Sequence, residues 1–351
     1  MNELWSGKIR NLMPYVPGEQ PQDKKYIKLN TNENPYGPSP LVIKAIQEAA
    51  GDALRLYPDP DSNELCQTIA GYYKLERDQV FVSNGSDEAL ALTFYSFFQQ
   101  DKPVLFPAIS YSFYPVYSRF FGIVPRMVPL DKDFSIRVDD YKTPNGGIII
   151  PNPNAPTSIG LPLSAIEEIV AANPHSVVAV DEAYVDFGAE SAVPLIAKYD
   201  NLLVIQTMSK SRSLAGMRIG YIMGHRDLID GLNRAKNSFN SYPLDRLAQA
   251  AAIAAIKDEA HFKANCQKIM VTRDRVIKAL RALGFEVQDS LANFLFAKHA
   301  VKQAEDLFLQ LKERGVLVRY FKQAGIANYL RITVGTDAEM DAFLEEVREL
   351  L

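Results

Sequence analysis

The chain has 351 residues, 47% of them hydrophobic and 23% charged, with a formal net charge of −4. That balance is ordinary for a soluble globular protein with a large core, and the length suggests one large domain plus a smaller one. The mild acidity excludes a general electrostatic pull toward nucleic acid or an anionic membrane, so any basic residues that matter act locally.

The two cysteines, Cys66 and Cys266, lie far apart without a CxxC pattern, which argues against a disulfide framework or a zinc site and for a reducing, cytoplasmic setting. The start, "MNELWSGKIRNLMPYVPGEQ", lacks the continuous apolar segment of a signal peptide, and no run approaches the roughly 18 apolar residues of a membrane span. His175, His225, His261 and His299 are scattered singly, and no metal is expected.

In chain order, an irregular opening rich in Pro and Asn leads to "SPLVIKAIQEAA" (39–50), whose Ser-Pro start and helical apolar spacing predict a helix. From about residue 79, short apolar runs alternate with helical patterns: "QVFVS", "SDEALALTFYSFF", "PVLFP", "GIIIP", "SAIEEIVAA", "SVVAV", "NLLVIQT" and "MRIGYIM". Runs that are apolar throughout read as strands buried on both faces of a mostly parallel sheet, hence an α/β domain. Long helical text fills 244–283, and strand-like runs return in "NFLFA", "VLVRYF" and "YLRITVG", with helices at "AEDLFLQLKERG" and the end. The expected division is an N-terminal arm at 1–38, a large domain at 39–250, linking helices at 251–283 and a small α+β domain at 284–351. No repeat or low-complexity segment is visible.

Ligands of open α/β sheets collect at the carboxyl ends of strands. Four such ends stand out. "VFVSNGSDEAL" places Ser83, Asn84, Gly85 and Ser86 between a strand and a helix, with Asp87 next, where free backbone N–H groups can cradle an anion; with neither GxGxxG nor GK[ST] present, a Gly turn with a Ser/Asp helix cap is the plainer reading of the stretch taken alone. "SVVAVDEAYVDF" ends an apolar strand with Asp181, a carboxylate that wants a cationic partner unless it is a cap or a structural hydrogen bond. "IIIPNPNAPTS" is a proline-punctuated turn in which Asn152 or Asn154 can present an amide, or simply a rigid turn. "TMSKSRSLAGMRIGY" holds Ser209, Lys210 and Arg218; a lone lysine is usually solvated, but one at a strand end in a cleft can serve as a Schiff-base nucleophile and proton carrier. Together they match what pyridoxal phosphate requires: a lysine for the aldehyde, a carboxylate for the ring nitrogen, and a cradle with an arginine for the phosphate.

With these residues in hand, the chain resembles the fold-type I, class I/II pyridoxal-phosphate aminotransferases, and most nearly their histidinol-phosphate branch. The likeness runs from "LNTNENPYGPSP" (29–40) and "LRLYPDP" (54–60) through "SNGSDEAL", "DEAY" and "SKSRSLAGMRIGY" to "YLRITVGT" (329–336). It implies a Schiff base at Lys210, Asp181 on the pyridine nitrogen, Tyr184 on the ring oxygen and Tyr111 stacked on the ring. Ser86, Ser209 and Arg218 would hold the phosphate, and Tyr57 would reach the phosphate of a partner subunit, so a homodimer with shared sites is implied. Where the family often reads N-P-T-G this chain has "NAPTS", so Ala155 stands at the position of the ring-contacting Asn and Asn154 is carried as its substitute.

Arg331 in "YLRITVG" resembles the arginine that holds the acidic end of substrates, with Asn32, Tyr15 and Arg319 as further candidates; Arg319 can also be a plain surface charge on an edge strand. The implied reaction is transamination of L-histidinol phosphate with 2-oxoglutarate to imidazole-acetol phosphate and L-glutamate, in histidine biosynthesis. An aromatic-amino-acid aminotransferase and a threonine-phosphate decarboxylase share the same frame. A pyridoxal-phosphate sensor in gene regulation would need a DNA-binding extension that is not visible, and a generic phosphate-binding protein would leave the pairing of Lys210 with Asp181 unexplained.

Overall fold

The computed structural model describes residues 3–10 and 12–351; residues 1, 2 and 11 of the expected arm lie outside the described residues. Strands follow the chain as β1 (Ile27–Lys28), β2 (Val80–Asn84), β3 (Val104–Pro107), β4 (Pro125–Val128), β5 (Gly147–Pro151), β6 (Val178–Asp181), β7 (Leu202–Thr207) and β8 (Ile219–Gly224). A second group comprises β9 (Phe285–Val287), β10 (Phe294–His299), β11 (Val316–Leu317), β12 (Arg319–Tyr320) and β13 (Leu330–Thr333).

The first group forms a seven-stranded sheet in the order β2-β8-β7-β6-β5-β3-β4, in which β8 runs antiparallel to both neighbours and the other recorded pairs are parallel. The expected mostly parallel sheet is thus present. Apart from the edge strand β4, its strands are largely apolar because both faces are covered. Val178 and Val180 of β6 enter one core with Ile150, Val204 and the helix Arg246–Lys257, while Ala179 between them enters another with Ile149, Leu203 and the helix Gly85–Phe97. Since β2, β3, β5, β6 and β7 share one direction, their carboxyl ends open on one edge.

The helix expected at 39–50 spans Pro40–Ala49, with the Ser39 side chain accepting the Leu41 N–H. The helical text at 244–283 is two helices, Arg246–Lys257 and Glu259–Ala282, divided at Asp258, whose carboxylate accepts the His261 N–H and caps the second. "VLVRYF" also divides: β11 pairs in parallel with β1, whereas β12 joins the antiparallel sheet β12-β13-β10-β9. The pairing of β1 with β11 ties residues 27–28 to the C-terminal sheet, and Leu29 enters the core built by Val276, Leu295, Ile332 and Val347.

The sequence reading passed over the helices Asn63–Tyr73, Tyr114–Phe121 and Arg226–Phe239 and the strands β4 and β9. β4 begins with a proline at the sheet edge and buries only Val128, so it carries no continuous apolar run.

Candidate active site

A cavity of about 400 Å³ opens where the carboxyl ends of β5, β6 and β7 face β12 and β13. Asp181, the last residue of β6, lines it and is only 6% exposed. Tyr114 Oη donates to Asp181 Oδ2 at 2.7 Å and the Ala183 N–H reaches Oδ1 at 3.3 Å. Burial raises the carboxyl to about 6, while the Tyr114 hydroxyl and the Ala183 N–H pull the other way.

Lys210 follows β7 at the same edge. Burial, with the Arg331 charge adding to it, lowers its ammonium to about 8. Its Nζ donates to the Thr31 carbonyl at 3.2 Å, and Asn34 Nδ2 binds the carbonyls of Lys210 (3.0 Å) and Ser211 (3.2 Å), fixing the loop that carries it. An amine so placed holds a far larger neutral fraction at physiological pH than an ordinary lysine, which suits a nucleophile and proton carrier.

The anion cradle is built by close backbone approach. Gly85 has φ +77°, and a Cβ there would sit 2.6 Å from Arg218 Nη2. A Cβ on Gly220 would sit 2.5 Å from the Gly85 carbonyl carbon, so two glycines let β8 lie against the start of the helix Gly85–Phe97. Ser86 and Asp87 occupy that helix's first turn, where N–H groups lack intrahelical partners. Asp87 is held by the Tyr111 hydroxyl and by Arg218 Nη2, each at 3.0 Å, and Ser209 lines the same end.

Across the cavity, Arg331 and Arg319 are register partners on β13 and β12. Arg331 Nη2 donates to the Asn30 carbonyl at 2.9 Å, its Nε is buried without a partner among the described residues, and burial shifts the pKa of the guanidinium down from its usual value. Phe294 and Phe321 lie 5.4 and 5.6 Å from the guanidinium. Arg319 donates to the Val16 and Pro17 carbonyls at 3.3 Å each, and Tyr15 stacks on Phe113 with ring centres 4.6 Å apart. Tyr184 Oη accepts from Asn32 Nδ2 at 3.0 Å.

The cavity therefore gathers Tyr15, Asn32, Ser86, Asp87, Tyr111, Asp181, Tyr184, Ser209, Lys210, Arg218, Arg319 and Arg331. Gly85 stands behind it, touching Arg218. Asn154 is a correction: it is buried outside the lining, its Nδ2 donates to the Ile109 carbonyl at 2.9 Å, and Ala155 faces the cavity instead. The Asn154 amide nitrogen ties down the loop after β3, and the side chain does not line the cavity. Tyr57 also lies away from this chain's own cavity; it is 78% exposed and stacked on Tyr242 at 4.7 Å. The sequence reading missed Tyr114, Asn34, Thr31 and Phe321. Tyr114 had a signal, three residues after Tyr111 at a helix start; the others are assembled by folding.

The residue set fits a group with an aldehyde, a basic ring nitrogen and a phosphate. A half-buried lysine with a lowered pKa, a buried carboxylate and a glycine-lined cradle with a guanidinium face one space, and a side chain on Gly85 would fill the cradle.

Comparison with known proteins agrees. The family model for class I and II aminotransferases matches residues 24–347. Histidinol-phosphate aminotransferase 1 of Pseudomonas fluorescens is 56% identical over 350 residues, covering 100% of both chains. The histidinol-phosphate aminotransferase of Clostridium botulinum is 53% identical, covering 100% of this chain and 99% of its own. In three dimensions the chain is similar to the Sinorhizobium meliloti histidinol-phosphate aminotransferase in complex with pyridoxal 5'-phosphate, with a TM-score of 0.89 at 24% identity, covering 100% and 99%. A mutant Thermus thermophilus aspartate aminotransferase has the same fold, with a TM-score of 0.85 at 19% identity and full coverage of both chains. With a family model and full-length relatives in agreement, the chain belongs to the class I and II aminotransferases, within their histidinol-phosphate group.

Proposed function

We propose that this chain transaminates L-histidinol phosphate with 2-oxoglutarate, giving imidazole-acetol phosphate and L-glutamate, with pyridoxal 5'-phosphate as cofactor. The observation that carries the reading is Lys210, half-buried, lowered to about 8 and sharing one cavity with Asp181, Ser86, Ser209 and Arg218, with Gly85 behind Arg218. The full-length relatives at 53–56% identity support the choice of substrate.

Bound there, the cofactor supplies an aldehyde for the substrate amine and a ring that accepts electron density. Asp181, ionised, keeps a proton on the ring nitrogen, and Tyr114 holds that carboxylate in its charged form. Tyr184 would meet the ring oxygen and Tyr111 the ring, while Arg218 with the first-turn N–H groups would hold the phosphate. The Lys210 amine accepts the proton from the amine-bearing carbon of the substrate and later returns one. Arg331, with Arg319 beside it, binds the phosphate of one substrate and the carboxylate of the other in turn, because a guanidinium fork serves both.

A homodimer belongs to this reading. Tyr57 is exposed and stacked on Tyr242, Arg246 holds the Leu56 and Tyr57 carbonyls, and Leu54, Leu56, Phe239 and Tyr242 are exposed apolar side chains, which supports a partner's cavity as the place where Tyr57 acts. A cytoplasmic setting is consistent with two buried free cysteines. A division into a large and a small unit is supported by the separate sheets and cores, but Ala251, Ala252, Ala255 and Ile256 pack with the seven-stranded sheet whereas Phe262, Ile269 and Leu280 pack with the four-stranded one, which favours a change near Asp258 over the expected boundaries at 250 and 283.

The test is a single half-reaction. Protein loaded with pyridoxal phosphate is mixed separately with L-histidinol phosphate, L-phenylalanine and L-threonine phosphate while conversion to the aminated cofactor is followed by absorbance. Conversion far faster with histidinol phosphate is expected. Preference for phenylalanine, or CO₂ release from threonine phosphate, would overturn the substrate; no cofactor band would overturn the chemistry.

A further inference from the structure

We propose that Thr333, supported by Asn293, is a positioning residue that fixes the Asn32 side-chain amide and thereby turns the Tyr184 hydroxyl proton into the cavity, toward the ring oxygen of bound pyridoxal phosphate. The proposal rests on the reading of the site given above.

Asn32 is held on every side. It has φ +57° and is 1% exposed; its N–H donates to Thr333 Oγ1 at 3.0 Å, and its carbonyl accepts from Asn293 Nδ2 at 3.0 Å. The Thr333 backbone N–H is itself tied to the Leu29 carbonyl at 2.9 Å. A hydroxyl carries one proton and must find it an acceptor when buried. Thr333 Oγ1 already accepts the Asn32 N–H, and its proton goes to Asn32 Oδ1 at 3.1 Å, its one acceptor among the described residues.

That bond decides which way the amide faces. With Oδ1 committed to Thr333, Nδ2 must face Tyr184, and it does so at 3.0 Å. The reverse orientation would leave the Thr333 proton without an acceptor and put an oxygen against Tyr184, drawing the phenolic proton away from the cavity. As built, Tyr184 accepts from Asn32 and makes no other hydrogen bond among the described residues, so its proton is free for the cavity side. Asn32, Asn293 and Thr333 are each buried, which leaves little room for water to replace these bonds. Position 155, where an asparagine amide was expected by resemblance, is alanine, so the 152–158 turn adds no second side-chain donor there.

The experiment is a pH titration of the visible absorbance of the holoenzyme. A hydrogen bond from Tyr184 to the ring oxygen competes with the proton on the neighbouring Lys210 linkage, so its loss raises the midpoint, by about 1 pH unit for one charge-assisted bond. Tyr184→Phe should raise it by that amount and Thr333→Val by a comparable amount. Thr333→Ser, which keeps the hydroxyl, should stay at the wild-type value, and the double variant Thr333→Val/Tyr184→Phe should match Tyr184→Phe alone.

A wild-type midpoint in Thr333→Val beside a shifted Tyr184→Phe would overturn the proposal, as would two shifts that simply add. An unshifted Tyr184→Phe overturns it by removing its premise, whereas absence of any visible band sinks the cofactor reading beneath it. Should Thr333→Val not fold, Asn32→Asp places an acceptor against Tyr184 and should raise the midpoint; the proposal fails if adding Asn32→Asp to Tyr184→Phe raises the midpoint by as much as it raises wild type, because only the added charge then acts.

Discussion

Replacing Tyr114 with phenylalanine removes one oxygen from the most buried part of the site. The Tyr114 hydroxyl donates to Asp181 Oδ2 at 2.7 Å, and both groups are shut off from solvent. A hydrogen bond to a charged group contributes about 1.5–3 kcal/mol, so losing it lifts the Asp181 carboxyl by about 1–2 pKa units above its present value of about 6. The carboxylate then becomes the stronger base and draws the proton it shares with the cofactor's ring nitrogen back to itself, by about 10- to 100-fold. A ring without that proton is a poorer electron acceptor, and the half-reaction with L-histidinol phosphate should slow by up to the same factor. Stopped-flow absorbance on cofactor-saturated protein reads this directly, and saturation separates it from weaker cofactor binding. A Tyr114→Phe rate within about twofold of wild type, a gap of less than about 0.5 kcal/mol, would refute the claim that this hydroxyl keeps Asp181 charged.

Three further outcomes are expected. Mixing Lys210→Ala with Tyr57→Ala, each inactive alone, should restore about 25% of wild-type activity after subunit exchange, since half the dimers are mixed and each then has one intact site; no recovery despite demonstrated exchange would place Tyr57 in its own chain's site. Gly85→Ala puts a Cβ 2.6 Å from Arg218 Nη2 at φ +77°, and should weaken pyridoxal-phosphate binding by about tenfold, in line with about 1–2 kcal/mol of left-handed strain and cradle displacement; unchanged affinity in an apoenzyme titration would dismiss the cradle. Glu182 is buried and raised by desolvation from 4.5 to about 7, so the native state holds its proton more tightly than the unfolded chain. Its contribution is complete below about pH 4.5 and is lost as the pH rises through 7, up to about 3 kcal/mol; Glu182→Gln should flatten the pH dependence of the melting temperature of the cofactor-free protein between pH 5 and 8, and an unaltered slope would count against it.

The strands and their carboxyl ends were legible because burial on both faces of a sheet demands uninterrupted apolar runs. Val178–Asp181 and Leu202–Thr207 announce themselves that way, and so do the polar residues that leave them, Asp181 and the Ser209–Lys210 pair. β4 was not legible because an edge strand needs no such run. The division of "VLVRYF" between two sheets was invisible because its β11 residues answer to β1, about 290 positions earlier, a partner no local pattern encodes.

Asn154 shows the limit within the site. A shift of one position along a proline-bound turn decides whether an amide meets the ligand or the Ile109 carbonyl, and nothing in "PNPNAPTS" encodes that choice. By itself the sequence determined the chemistry-bearing residue types and their order, Gly85 through Lys210 to Arg331, because Gly85, Asp181 and Lys210 stand at or just after the carboxyl ends of strands whose composition is dictated by burial and Arg331 interrupts the apolar pattern of β13. The tertiary structure alone decided how those residues are tuned: Tyr114 against Asp181, Asn34 on the Lys210 loop, and Thr333 through Asn32 on Tyr184. Hydrogen bonds between residues up to 301 positions apart, and the shifts that desolvation imposes on Asp181 and Lys210, exist only once the chain has closed around them.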